Sequence, residues 1–249
     1  LTVDAGHSVD LDGFSLTVFE AGAFENQGTL YFSGGTDSIS LMDTDSGTVS
    51  YRTTNATIAE FGATDYYNLS IDGITANLNS DITVAGSLTL AGGATLNLNG
   101  YTLTVLGNLS GTGTVVVGDG ILDVSGSITV STLTAATGTI RAGADFDTAF
   151  SAGTSTVQLV NAARATTIFG SNTFYNLEVT TPGKTVLFQN GSTQTIDTFT
   201  VTGTSGGEIN LLSDSDTFTW FITATNKTVH YAYVRDSTAT LTITAVNST

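Results

Sequence analysis

The chain has 249 residues, a net charge of −16, only six Lys and Arg, and no cysteine. So few basic side chains cannot form a phosphate-neutralising patch, which argues against nucleic acid and against electrostatic docking to anionic membranes. No apolar run approaches the length that spans a bilayer, so no membrane insertion is expected, and stability must come from something other than disulfides.

What remains is strand chemistry. Thr alone supplies 48 residues, and 28 Gly stand against a single Pro, Pro182. β-branched and aromatic side chains suit a pleated, half-buried surface, and glycine-based turns punctuate it. Leu1-Thr2-Val3 opens directly as a strand with no leader, which reads as a processed or excised piece of a longer precursor. DTDSG (43–47) is a turn corner. From 87 to 117, SLTLAGGATLNLNGYTLTVLGNLSGTGTVVV alternates apolar and polar positions with period two, broken by GG, NG and GTG. SDSD (213–216) makes another corner, and LTITAVNST (241–249) closes the chain as strand. No stretch holds helical periodicity over three turns.

Two long-range repeats set the architecture. Residues 1–18 lie over 88–105 at an offset of 87, and 48–71 lie over 156–179 at an offset of 108. Within the second pair FGATDYYNLSI (61–71) returns as FGSNTFYNLEV (169–179). The offsets differ by 21 residues, and GILDVSGSITVSTLTAATGTI (120–140) is the natural insertion. A solenoid absorbs one extra coil because each coil touches only its neighbours, whereas a globular core does not. The expected fold is therefore all-β, a right-handed parallel β-helix of roughly 20 residues per coil, with coils about 4.8 Å apart. It is read as a single solenoid over 1–249 with two related units, about 1–87 and 88–249, the second carrying one extra coil. Tyr67 with Tyr175, Leu69 with Leu177 and Phe61 with Phe169 are expected at equivalent core places. Asn68 and Asn176 are expected at turns or outward positions, satisfying backbone groups.

The strings FYNLEV…GKTV (174–186), GYTLTVLGNLSGTGTV (100–115) and ITATNKTVHYAYVRDS (222–237) resemble repeat modules of large bacterial surface proteins, adhesin-like β-helices similar to filamentous-haemagglutinin-type solenoids. The resemblance covers nearly the whole chain and implies a shape: an extracellular, cell-surface or fibre-forming structural role, with no catalytic residues carried over. End-to-end self-association through exposed terminal coils follows from unpaired strand edges, since no capping helix is visible at either end.

Candidate chemistry is sparse, and no enzymatic activity is expected. Glycoside hydrolysis needs two carboxyls across the scissile bond, and Asp43/Asp45, Asp145/Asp147 and Asp214/Asp216 are the available pairs, all at turn-like corners. Arg52, Arg141, Arg164, Lys184, Lys227 and Arg235 do not recur in register, and His7 and His230 lie far apart in the chain. Calcium is the one cofactor these residues suit: Asp43, Asp45, Asp214 and Asp216 offer hard oxygen ligands, although no EF-hand loop or calcium-binding nonapeptide array occurs. Trp220, Tyr231 and Tyr233 could stack on glycans if exposed, while alternation through TFTWFI (217–222) argues that at least one face is core. Six N-x-S/T sequons stand at Asn55, Asn68, Asn108, Asn190, Asn226 and Asn247. A carbohydrate-binding or carbohydrate-degrading β-helix is the alternative to a structural rod.

Overall fold

Short strands stack in parallel, each lap resting on the one before. The computed structural model describes residues 2–12, 14–18, 24–32, 38–39, 42–53 and 56–248. The described residues contain no helix and wind as a parallel β-solenoid of about 11 turns, with strands about 20 residues apart. Each lap visits three faces in order. Face one runs through Thr29–Phe32, Thr48–Tyr51, Asn68–Asp72 and Leu88–Ala91 and continues to Ala232–Val234. Face two runs through Thr75–Asn77 and Thr95–Asn97, and face three through Ile82–Val84, Thr102–Val105 and Ile121–Val124.

Period-two alternation explains the core. On face one Leu30, Val49, Leu69, Leu88, Leu109 and Ile128 pair in register, and all are buried. On face three Val84, Val105, Val124 and Ala142 do the same. Each full burial of a side chain of this size is worth about 1.5–3 kcal/mol. Where the chain passes from face three back to face one, glycines stack. The Gly107 N–H donates to the Gly86 carbonyl at 2.8 Å, and the Gly126 N–H to that of Gly107 at 3.0 Å. A methyl group on either glycine would stand 2.4 Å from the carbonyl oxygen below it, so no other residue fits there.

Lap length is not constant. The pairs Thr132–Ala149 and Thr139–Thr156 mark short laps, Asn176–Thr198 and Thr198–Asn226 mark progressively longer ones, and Val229–Ala245 returns to a short lap. The widened cross-section is filled by rings. Phe146 packs on Phe150 and Phe174 with centroids 5.4 and 5.9 Å away, and Phe188 stacks on Trp220 at 3.8 Å.

The repeated segments keep their alternation but change face. Thr48–Tyr51 lies on face one, whereas its counterpart Thr156–Leu159 lies on face three. Leu69 and Leu177 are both buried, as expected. Tyr67 and Tyr175 are not core residues: they are 36% and 40% exposed, and their predecessors Tyr66 and Phe174 point inward instead. A Tyr-Tyr or Phe-Tyr doublet carries no alternation of its own, so parity has to come from Leu69 and Leu177 beyond it. Phe61 and Phe169 are both half-buried.

Candidate functional site

The motif FG-x-x opens both repeats, and each copy is a loop pinned by a polar side chain. In the first, Asp65 is 1% exposed; its Oδ1 accepts the N–H groups of Phe61 and Gly62, and its Oδ2 accepts that of Thr83 at 2.7 Å. In the second, the amide of Asn172 donates to the carbonyls of Phe169 and Gly170 at 2.8 and 3.3 Å. Fully buried Gln194 donates to the Gly170 carbonyl at 2.9 Å and to Ser192 Oγ at 3.0 Å. Gln189 Oε1 takes the Gly170 N–H at 2.7 Å. Buried polar groups are tolerated only when hydrogen-bonded, and here three amides are committed to one four-residue loop.

That loop walls a cleft of about 560 Å³. The corner at residues 147–150 and Gln189 also line it. The physical origin is lap length: the short lap through Ala149 is followed by longer ones, so the corner at 147–150 steps back from the 169–173 loop. Phe150 and Phe169 line the cleft and are half-buried, while Asp147 is exposed. No Lys or Arg lines it.

Away from the cleft lining, Lys184 is fully buried. Its Nζ donates to three main-chain carbonyls, of Arg164 at 2.8 Å, Asn161 at 3.1 Å and Gly143 at 3.3 Å. Three N–H donors meet three acceptors from earlier laps, so the ammonium ties successive laps together. Burial pushes its pKa down to about 8, against the pull of Asp145, whose carboxylate favours the charged form.

Of the residues singled out in the sequence, Asp147 lines the cleft, and the others fall elsewhere or serve turns. Asp43 accepts the Asn26 N–H at 2.6 Å, the Asp45 N–H at 3.1 Å and the Ser46 hydroxyl at 3.2 Å. Burial acts to raise its pKa, and these hydrogen bonds outweigh burial and hold it below the usual carboxylate range. Asp214 accepts from the backbone and side-chain amides of Asn190, and Asp216 pairs with Arg235. Asp145 accepts the Thr167 N–H at 3.1 Å. Among the described residues no three His, Asp or Glu side chains come together as a metal-binding group. Trp220 is core: it is 1% exposed, stacked on Phe188, with its indole N–H toward the Arg235 carbonyl at 3.3 Å. Alternation correctly separates it from Phe221, which is 39% exposed. Tyr231 is half-buried at a positive φ, and only Tyr233 of that trio is exposed. Arg52 lies over the Tyr31 ring and pairs with Asp10. His7 is exposed and His230 half-buried, on separate laps.

Of the sequons, Asn55 lies outside the described residues. Asn68 commits its amide to the Gly47 carbonyl at 3.0 Å and accepts the Ser87 N–H, the backbone-satisfying role expected of it. Asn108, Asn190, Asn226 and Asn247 are exposed. Neither the cleft nor Lys184 was flagged by the sequence as a site. The only available signal for the cleft was the uneven spacing of strands after residue 140. Comparison with known proteins returned nothing: no family model, no curated protein and no solved structure matches this chain.

Proposed function

We propose that this protein is an extracellular structural rod, part of a cell-surface adhesin stalk or a surface filament that associates end to end. One observation carries the reading: about 11 laps stack over a largely apolar interior with a Thr-rich exterior, the build of a mechanical element. On face three the outward row Asp123, Arg141, Gln158 and Glu178 is cross-linked lap to lap, with Arg141 to Gln158 at 3.1 Å and Gln158 to Glu178 at 2.9 Å. Such a row resists sliding of one lap on the next. The last described laps present an apolar hollow of about 400 Å³ lined by Leu211, Ile222, Val229 and Ile243, beside strands with no further partner among the described residues. Burying that hollow against another lap is the favourable term in end-to-end assembly.

Negative-stain imaging of native material tests the proposal. Uniform fibres with an axial repeat near one subunit length are the expected result, and isolated short rods at every concentration would overturn the filament. Antibody labelling of intact against permeabilised source cells tests the surface location.

A further inference from the structure

The cleft between residues 147–150 and 169–173 has no part in a purely mechanical rod, yet the loop that forms it is braced by buried amides. Buried Asn172 and Gln194 hydrogen-bond to each other at 3.4 Å, and both reach the Gly170 carbonyl. A plain turn between two strands does not need buried amides, whose desolvation is costly. Between residues 66 and 154 the turns are made without any buried polar side chain. The bracing holds the loop in one geometry before anything binds, which lowers the ordering cost of recognition.

The groups displayed there define a ligand class. Phe150 and Phe169 supply half-buried ring surface, while Asp147, Ser171 and Gln189 supply a carboxylate, a hydroxyl and an amide along the same cleft. Thr148, which also lines it, has a buried hydroxyl with no hydrogen-bond partner among the described residues. A volume of about 560 Å³ lies within the range of small-ligand sites. Aromatic surface beside scattered hydroxyl-binding groups suits a molecule with an apolar C–H face and a rim of hydroxyls, which is a pyranose ring. The absence of Lys and Arg from the lining, Asp147 within it and a net charge of −16 disfavour uronic or sialic acids. Asp147 is the one carboxylate lining the cleft, so the pair required for glycoside hydrolysis is not assembled there.

We infer that this cleft binds a neutral hexopyranose oligosaccharide without cleaving it. The rings of Phe150 and Phe169 take the C–H face of a sugar, and Asp147, Ser171 and Gln189 take its hydroxyls. A rod carrying such a cleft on one flank would be a lectin-like element as well as a spacer.

The test is a heteronuclear NMR titration of the full chain with cellotriose, maltotriose, mannotriose and digalacturonate. At least one neutral trisaccharide is expected to shift the amides of residues 147–150, 169–173 and 189. Asp147→Ala, whose side chain is exposed, is expected to weaken that binding about tenfold without disturbing the fold, and Phe169→Ala at least as much. Phe221→Ala, an exposed ring on a later lap, should leave it unchanged. The inference fails if no neutral probe shifts these amides at millimolar concentration, if the shifts survive Asp147→Ala, or if digalacturonate binds best.

Discussion

The middle of the rod and its C-terminal third solve the same packing problem differently. From Tyr66 to Thr154 every buried side chain is apolar or aromatic, and laps stay close to 20 residues. From Ser155 to Ser213 the interior also holds Thr166, Asn172, Lys184, Ser192 and Gln194. The difference follows from perimeter. A short lap closes on aliphatic side chains alone, whereas a longer lap encloses more space and more loop backbone. Phenylalanine and tryptophan rings fill the space, and the amides and the ammonium satisfy carbonyls that the wider turns leave inside. The lesson is that the C-terminal third trades uniformity for fixed loops, and fixed loops are where a site can be built.

The sharpest way to break this contrast is Lys184→Ala. It removes the ammonium's hydrogen bonds to the Gly143, Asn161 and Arg164 carbonyls and leaves a cavity between laps, with an expected cost of about 3–5 kcal/mol, read by urea unfolding. Should its midpoint match the parent's, the buried ammonium is not what ties these laps. In the middle region Leu103→Ala should cost about 2–5 kcal/mol through lost burial and a residual cavity. Hydrogen exchange would then show deprotection confined to laps next to face three of that turn. Gln194→Leu sharpens the distinction from the other side: it should cost about 1–3 kcal/mol and speed exchange at Gly170 and Ser171 without affecting residues 82–124.

The pH response of the two regions should also differ. The folded pKa of Lys184, about 8, lies below its ordinary 10.5, so folding favours the neutral amine. Below pH 8 the penalty of burying the charge is fully present. As pH rises from about 8 toward 10.5 the native state loses its proton before the unfolded chain does, and stability climbs by at most about 1.4 kcal/mol per unit. A urea midpoint that rises over this window in the parent and stays flat in Lys184→Met is the expected result. The smallest effect belongs to the outer row: Arg141→Ala, partly exposed between Asp123 and Gln158, should cost only about 0.2–1 kcal/mol.

Much of the architecture was legible because it depends on local alternation and repetition. Strand chemistry and laps of about 20 residues follow from period two and from self-similarity. What stayed hidden depends on partners far away in the chain. Lys184 sits in PGK, a sequence that looks like a surface turn, and the carbonyls it joins belong to Gly143, Asn161 and Arg164 on other laps. The cleft arises from a mismatch between successive lap lengths, and no single segment encodes that. Trp220 was legible only halfway: alternation separated it from Phe221 but could not say which of the two faced Phe188.

The change of face between matching segments has an evolutionary consequence. A stretch that packs equally well on face one or face three can be copied forward by a fraction of a lap, provided its odd and even positions keep their parity. Genetic duplication in such a gene is therefore free of the need to insert whole turns, and loops that begin on one side of the shaft can be carried around it like steps on a spiral stair.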